Sequence, residues 1–326
     1  MKQVKKITIL IPAYNEEASL AHLFTRLANL ANKLKDYDFE FLFINDGSKD
    51  KTLDIIQDYA EKDSRVAFVN LSRNFGKEIA MIAGLDKATG DATVIIDADL
   101  QDPPELIPKM LHYWEEGFDD VYAKRETREG ETWLKQFTSK MYYRTLQSFT
   151  HIPIQEDTGD FRLLDRRVVE ALKQFRETQR NTKAMFSWVG FNKKEILYNR
   201  DPRVAGETHW NYRKLINLAV DGITSFTTAP LRVATVVGIG ISIFAFLYLA
   251  YLIIRTIFFG TDAAGYPSMM AVILFLGGVQ LLSLGIIGEY IGRIFNETKQ
   301  RPLYLIEEYH SATTPKKTAQ KTRRKS

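Results

Sequence analysis

Ala92-Thr93-Val94-Ile95-Ile96-Asp97-Ala98-Asp99-Leu100-Gln101 decides the fold. Its apolar half reads as a short strand buried on both faces, and its acidic half begins where that strand ends. Three similar runs precede it. Lys6–Ile11 closes on Pro12-Ala13-Tyr14-Asn15-Glu16-Glu17, Phe39–Ile44 closes on Asn45-Asp46-Gly47-Ser48, and Val66–Asn70 is a third strand. Between them lie helical patterns. Leu20, Leu23, Phe24, Leu27, Leu30 and Leu34 recur at helical spacing, Leu53–Ala60 is helical, and Lys77–Ala88 reads as a helix ended by Gly90. Asp102 fits a cap for a further helix opening at Pro103-Pro104, and Asn15 fits a cap for the first one. Strands alternating with helices predict an α/β fold with a mostly parallel sheet, whose ligands sit at the carboxyl ends of the strands. The polar clusters fall at those ends.

Asp-x-Asp after a buried strand suits a hard divalent cation that takes one or two protein carboxylates and completes its shell with phosphate and water. Asp99 is the expected direct ligand. Asp97 suits a ribose or a metal-bound water, and Gln101 lies two residues on. Asp46 can accept the imide hydrogen of uracil or the amide and amino hydrogens of guanine. Tyr14 can pack on a base, and Glu16 can bond a ribose or a base edge.

The C-terminal third differs in composition. Val233–Ile254 and Met269–Gly288 contain no charged residue, and at about 1.5 Å per helical residue each covers roughly 30 Å of bilayer core. The loop between them, Phe259–Pro267, holds Asp262 and no Lys or Arg. Arg213, Lys214 and Arg232 precede the pair; Arg293, Lys299, Arg301 and a run of Lys and Arg from Lys316 follow it. The positive-inside rule predicts two transmembrane helices, near 233–254 and 269–290, with both termini cytoplasmic in a plasma (inner) membrane. Domains are expected at 1–211 (catalytic), 212–230 (amphipathic, juxtamembrane), 231–295 (two spans) and 296–326 (basic tail held near anionic lipid). Residues 133–149 read equally as an interfacial helix or as a surface helix. Met1–Lys6 is basic, but Ile7–Ala13 is too short for a signal peptide. The chain of 326 residues has no cysteine and a net charge of +4, which excludes a disulfide framework and a Cys-ligated zinc. No stacking platform accompanies the basic tail, so nucleic acid is not an expected partner.

Ile11–Glu17, Asn45–Ser48, Leu71-Ser72-Arg73-Asn74-Phe75-Gly76-Lys77-Glu78 and Asp97–Pro104 occur in that order. Together they resemble the polyprenyl-phosphate glycosyltransferases of glycosyltransferase family 2, and Gly288-Glu289-Tyr290-Ile291-Gly292-Arg293 adds a likeness to the bacterial undecaprenyl-phosphate branch. The resemblance covers roughly residues 5 to 300. It implies a GT-A (Rossmann-like) catalytic domain, inversion at the anomeric carbon, a nucleotide-sugar donor, a polyprenyl-phosphate acceptor, contact with membrane lipids and a homo-oligomer. It implies that Pro12, Tyr14, Glu16, Asp46, Asp97 and Lys77 contact the donor, and that Asp99 and Gln101 hold Mg²⁺ or Mn²⁺. Asp160, in Thr158–Leu163, would lie near the acceptor as a base or an orienting group. Arg200 and Arg203, with Arg125, would bind the acceptor phosphate or the leaving diphosphate, so that Asp99, Asp160 and Arg203 form the expected catalytic set. Thr208-His209-Trp210 departs from the Ser-Lys pair that relatives often carry there. UDP-glucose is the favoured donor; UDP-N-acetylglucosamine, a UDP-linked modified pentose and GDP-mannose stay open. A processive polysaccharide synthase and a non-catalytic membrane scaffold are the other readings.

Overall fold

The computed structural model describes residues 4–126, 158–178, 180, 182–199, 229–259 and 265–312. The chain divides into two units, one holding residues 1–137, 152–209 and 302–326, the other residues 138–151 and 210–301.

The first unit opens with strand β1 (Lys5–Ala13), helix α1 (Leu20–Lys33), β2 (Tyr37–Asn45), α2 (Thr52–Lys62), β3 (Val66–Leu71), α3 (Lys77–Lys87) and β4 (Ala92–Ile95). A 3-10 turn at Pro104–Leu106 runs into α4 (Ile107–Glu115). Then come β5 (Asp120–Arg125), β6 (Thr158–Asp165), α5 (Arg166–Lys173), α6 (Thr182–Trp188) and β7 (Lys193–Tyr198). The second unit supplies α7 (Ala229–Phe259) and α8 (Tyr266–Thr298), and the chain then returns to the first unit as β8 (Ile306–His310).

The eight strands form one sheet in the order β7-β5-β6-β4-β1-β2-β3-β8. Its centre, β4-β1-β2-β3, is parallel throughout, as expected, and β5 and β7 are parallel to each other. Strands β6 and β8 run against their neighbours. The period-two side-chain alternation of a strand builds a core on each face. Ile7, Ile9 and Ile11 of β1 pack with Leu20, Leu23 and Leu27 of α1, whereas Leu10 packs with Met81 and Leu85 of α3. Glycine lets the pieces approach: a Cβ on Gly90 would lie 2.6 Å from the Thr8 backbone nitrogen. That contact, rather than a left-handed helix stop, accounts for Gly90; α3 already ends at Lys87.

Residues 296–326 are not wholly a tail. Strand β8 pairs with Phe68, Val69, Asn70 and Leu71 of β3, the Leu305 carbonyl accepts the Ser72 amide (3.0 Å), and the Tyr304 hydroxyl donates to Asp86 (2.7 Å). Leu303 and Tyr304 pack on the α3 core. Their apolar side chains are what a basic-tail reading overlooked.

Both expected spans lie inside long helices, 233–254 in α7 and 269–290 in α8. Among the described residues, one segment, Phe275–Thr298, is long and apolar enough to cross a bilayer, and the apolar stretch Val233–Tyr248 of α7 is shorter. Two spans were expected; one meets the requirement by length and composition. Phe244, Phe246, Leu281 and Leu282 are exposed, an arrangement that suits a lipid solvent better than water. The expected helix at 133–149 lies outside the described residues, as does the expected juxtamembrane segment 212–230 except for its last two residues, which open α7.

Candidate active site

The antiparallel placement of β6 gathers the site. Parallel β1, β2 and β4 end at one rim of the sheet, and β6, running against β4, begins there. β5 and β7 end there as well, with Lys124 opposite Thr158 and Arg125 opposite Tyr198. Residues far apart in sequence therefore meet: Pro12 at the end of β1, Asp46 just after β2, Asp97 just after β4, Asp160 near the start of β6 and Arg125 at the end of β5.

Lys77, the first residue of α3, joins two of these strands. Its ammonium lies 2.6 Å from an Asp97 carboxylate oxygen and 2.6 Å from one of Asp160. Burial works against a charge on Lys77, but the two carboxylates outweigh it and hold the ammonium well above its ordinary range. Burial pushes the Asp97 carboxyl up, and the nearby Asp160 and Asp99 charges add to it against the pull of Lys77. Asp160 is displaced downward: burial is overcome by Lys77, with Lys183 and Arg162 helping.

Asp46 holds the loop that delivers Lys77. Its two carboxylate oxygens accept the amides of Phe75 (2.7 Å) and Gly76 (2.9 Å), and burial, opposed by those bonds, raises its pKa. Gly47 has φ +65°, and a Cβ there would sit 2.4 Å from the Arg73 carbonyl carbon. Only glycine allows the two loops to touch so closely. Asn15 is not the cap of α1. In a left-handed conformation (φ 56°), its side chain accepts the Lys49 amide (2.8 Å) while its own amide donates to Ser48 (3.0 Å). This ties the Pro12–Glu17 loop to the Asp46 loop. Tyr14 is exposed beside it, and the Glu16 side chain accepts the Ser19 hydroxyl (2.7 Å).

Past β4 the chain turns sharply, with Leu100 at φ 62°. The Asp99 side chain accepts the Gln101 amide (3.1 Å), and the Gln101 side-chain oxygen is buried with no hydrogen-bond partner. Among the described residues no group of three or more His, Cys, Asp or Glu side chains is arranged to hold a metal. Asp97, Asp99 and the orphaned Gln101 oxygen are hard donors that fit Mg²⁺ or Mn²⁺ sharing its shell with phosphate oxygens.

Asp102 is a hydrogen-bond acceptor rather than a cap: it takes the Tyr198 hydroxyl at 2.6 Å. That hydroxyl also receives Arg125, whose Nε is buried without a partner. Lys124 is paired with Glu195 (3.1 Å). Beneath the rim Arg162, the largest fully buried side chain, meets Asp120 at 3.1 Å with both side chains fully buried and lies 3.7 Å over the Phe186 ring. Arg200 and Arg203 lie outside the described residues.

Sequence reasoning missed the contribution of α6. Glu78, next to Lys77, accepts the Thr182 amide (3.3 Å), and Lys183 faces Asp160, Arg125 and Lys77 electrostatically. A lone Lys in an irregular segment carries no spacing signal, so nothing in the sequence marks it.

Residues 8–173 match the glycosyl transferase family 2 model, and residues 229–294 match the GtrB C-terminal hairpin. The chain is 53% identical over 303 residues to an uncharacterized glycosyltransferase of Synechocystis, covering 93% of this chain and 95% of that one. It is 48% identical over 302 residues to the bactoprenol glucosyl transferase of Shigella phage SfX, covering 93% and 99%. It is 46% identical over 302 residues to a prophage bactoprenol glucosyl transferase homolog of Escherichia coli, covering 93% and 98%. An acidic rim on a GT-A-like sheet, followed by that hairpin, makes this chain a member of glycosyl transferase family 2, of the polyprenyl-phosphate branch.

Proposed function

We propose that this chain transfers glucose from UDP-glucose to undecaprenyl phosphate, or a similar polyprenyl phosphate, with inversion at the anomeric carbon. One observation carries the reading: Lys77 bonds Asp97 and Asp160 at once, so the donor-side and acceptor-side carboxylates sit one side chain apart. The names of the phage and prophage relatives support glucose.

In this mechanism an acceptor phosphate oxygen attacks the anomeric carbon. The bond from that carbon to the UDP oxygen breaks, and UDP leaves with the electron pair. Pro12, Tyr14, Glu16 and Asp46 line the nucleoside end, and Asp97 reaches the ribose. Asp99 and Gln101 would hold Mg²⁺ or Mn²⁺, which supplies charge neutralisation on the diphosphate when bound. Lys77 keeps the Asp97 and Asp160 carboxylates from repelling an incoming phosphate. A phosphate monoester is largely ionised at pH 7, with a second pKa near about 6, so it needs little help from a base. Asp160, already paired with Lys77, orients the acceptor and the sugar hydroxyls. Arg125, Arg200 and Arg203 bind phosphate, for which guanidinium forks are well shaped. Positioning and electrostatics do most of the work.

The protein is read as an inner-membrane enzyme with two spans and cytoplasmic termini. The chain leaves the first unit before the helical pair and re-enters it as β8, which agrees with an even number of spans. A homo-oligomer belongs to the same proposal, since Gly277, Gly278, Gly285 and Gly288 of α8 have open space beside them.

The test is a panel of nucleotide sugars (UDP-glucose, UDP-N-acetylglucosamine, a UDP-linked modified pentose, GDP-mannose) with short polyprenyl phosphates, with and without EDTA, read by the mass of the lipid product. UDP-glucose should be the preferred donor and EDTA should stop transfer. Preference for another donor replaces glucose in the proposal. No lipid-linked product from any donor overturns it.

A further inference from the structure

We infer that Lys183 is a phosphate-binding residue of this site, its ammonium meeting an oxyanion of either the donor diphosphate or the acceptor monophosphate. The inference rests on the polyprenyl-phosphate reading above.

Lys183 is half-buried at the start of α6, and the Thr182 amide beside it is bonded to Glu78 in the first turn of α3. Helix α6 is thus fastened to the helix that supplies Lys77. Among the described residues no ion pair or hydrogen bond holds the Lys183 ammonium. The carboxylate it faces is Asp160, which already bonds Lys77 at 2.6 Å. Its other electrostatic neighbours are basic: Arg125, Lys77 and Arg162. Arg162 is taken up by Asp120 and Lys77 by two aspartates. Arg125 spends a bond on Tyr198, leaving its buried Nε without a partner.

A partly desolvated cation whose facing carboxylate is already bonded to another ammonium is costly to keep. One that adjoins a second cation with an unused donor makes a two-pronged anion site. Both substrates of the proposed reaction bring phosphate oxyanions to this rim, and charge-assisted bonds to phosphate are short and strong. Burial depresses the charge on Lys183; an arriving phosphate restores it. The balance of charge agrees. Asp97, Asp99 and Gln101 form the cation-seeking side of the rim, whereas Lys183 and Arg125 form an anion-seeking side beyond Asp160.

The experiment uses the full-length protein in detergent and compares wild type, Lys183→Met and Lys183→Arg. Titration calorimetry measures binding of UDP with Mn²⁺ in one arm and of a short polyprenyl monophosphate in the other. Lys183→Met should weaken one arm by about 10- to 100-fold, and Lys183→Arg, which keeps a cation, should recover most of that loss. Loss in the UDP arm assigns Lys183 to the diphosphate; loss in the lipid arm assigns it to the acceptor. Affinities within about twofold of wild type in both arms overturn the inference. If Lys183→Met lowers the melting temperature, Lys183→Gln against Lys183→Arg at equal stability makes the same comparison. Wild type that binds these ligands but transfers no sugar sinks the proposed reaction and leaves the binding arms to decide Lys183. Wild type that binds neither ligand overturns both.

Discussion

Replacing Arg162 by Met should destabilise the sheet domain most at neutral pH and progressively less as the pH falls. In the native protein the Asp120 carboxylate has the Arg162 guanidinium at 3.1 Å, and both side chains are fully buried. Burial pushes the Asp120 pKa up, while Arg162 and then Lys193 pull it back. Methionine fills much of the arginine volume and keeps a contact with the Phe186 ring, but it removes the nearer cation. The stranded carboxylate can then remain charged or take a proton. Protonation at pH 7 of a group whose unfolded value is about 3.9 costs about 4 kcal/mol, which caps the penalty. At pH 5 the same step costs about 1.5 kcal/mol. The sign follows from the raised folded-state pKa: stability is present below the unfolded value and is lost as the pH rises toward the folded one. Urea unfolding followed by circular dichroism at pH 5 and pH 7 should show the gap between variant and wild type shrinking by up to about 2.5 kcal/mol on acidification. The double variant Arg162→Met, Asp120→Leu should regain most of the loss, because paired removal of buried charges is often tolerated. A single variant equally destabilised at both pH values, or a double variant worse than the single one, would refute the reasoning. Asp160 lies two residues before Arg162 on β6, so lowered turnover should accompany the lost stability.

Asp99→Ala should abolish transfer in the lipid-product mass assay while leaving the melting temperature in detergent within about 2 °C, since the side chain bonds a loop amide at a rim rather than the core. Gly47→Ala forces a Cβ onto the Arg73 backbone at φ +65°; it should raise the donor KM by tenfold or more, as the Phe75 and Gly76 amides leave Asp46, with steady-state kinetics as the check. Glu40 accepts Thr8 (2.6 Å), Lys6 (3.0 Å) and Thr89 (2.9 Å). Burial opposes its ionisation, but these bonds hold its pKa below the ordinary value. Glu40→Gln should cost about 2 kcal/mol at pH 7, and the two unfolding curves should converge as acid protonates the wild-type carboxylate below its unfolded value of about 4.3.

The parallel centre of the sheet was legible because each buried run ends on a polar cluster, and period-two and period-3.6 patterns are local. Asp97, Asp99 and Asp46 could be chosen for the same reason, since each follows a strand, whereas Lys77 was chosen through the family resemblance of Leu71–Glu78. Long-range pairing leaves no such local mark. Nothing in Ile306–His310 distinguishes an added edge strand from a loop, because four of its five residues are charged or amphipathic and its partner lies more than 200 residues earlier. The caps failed where competition was decisive. Asn15 found the Lys49 amide and Asp102 found the Tyr198 hydroxyl, neither of which the neighbouring sequence announces. Lys183 was invisible because its meaning comes from the charges around it.

The edge strand β8 also sets an order of events during synthesis. A ribosome has made both long helices before residues 306–310 exist, so the nascent sheet keeps one border open until the helical pair has been synthesised. Capping of β3, and the bond from the Ser72 amide at the mouth of the loop leading to Lys77, comes last. Closure of the sheet is thereby tied to completion of the helical pair.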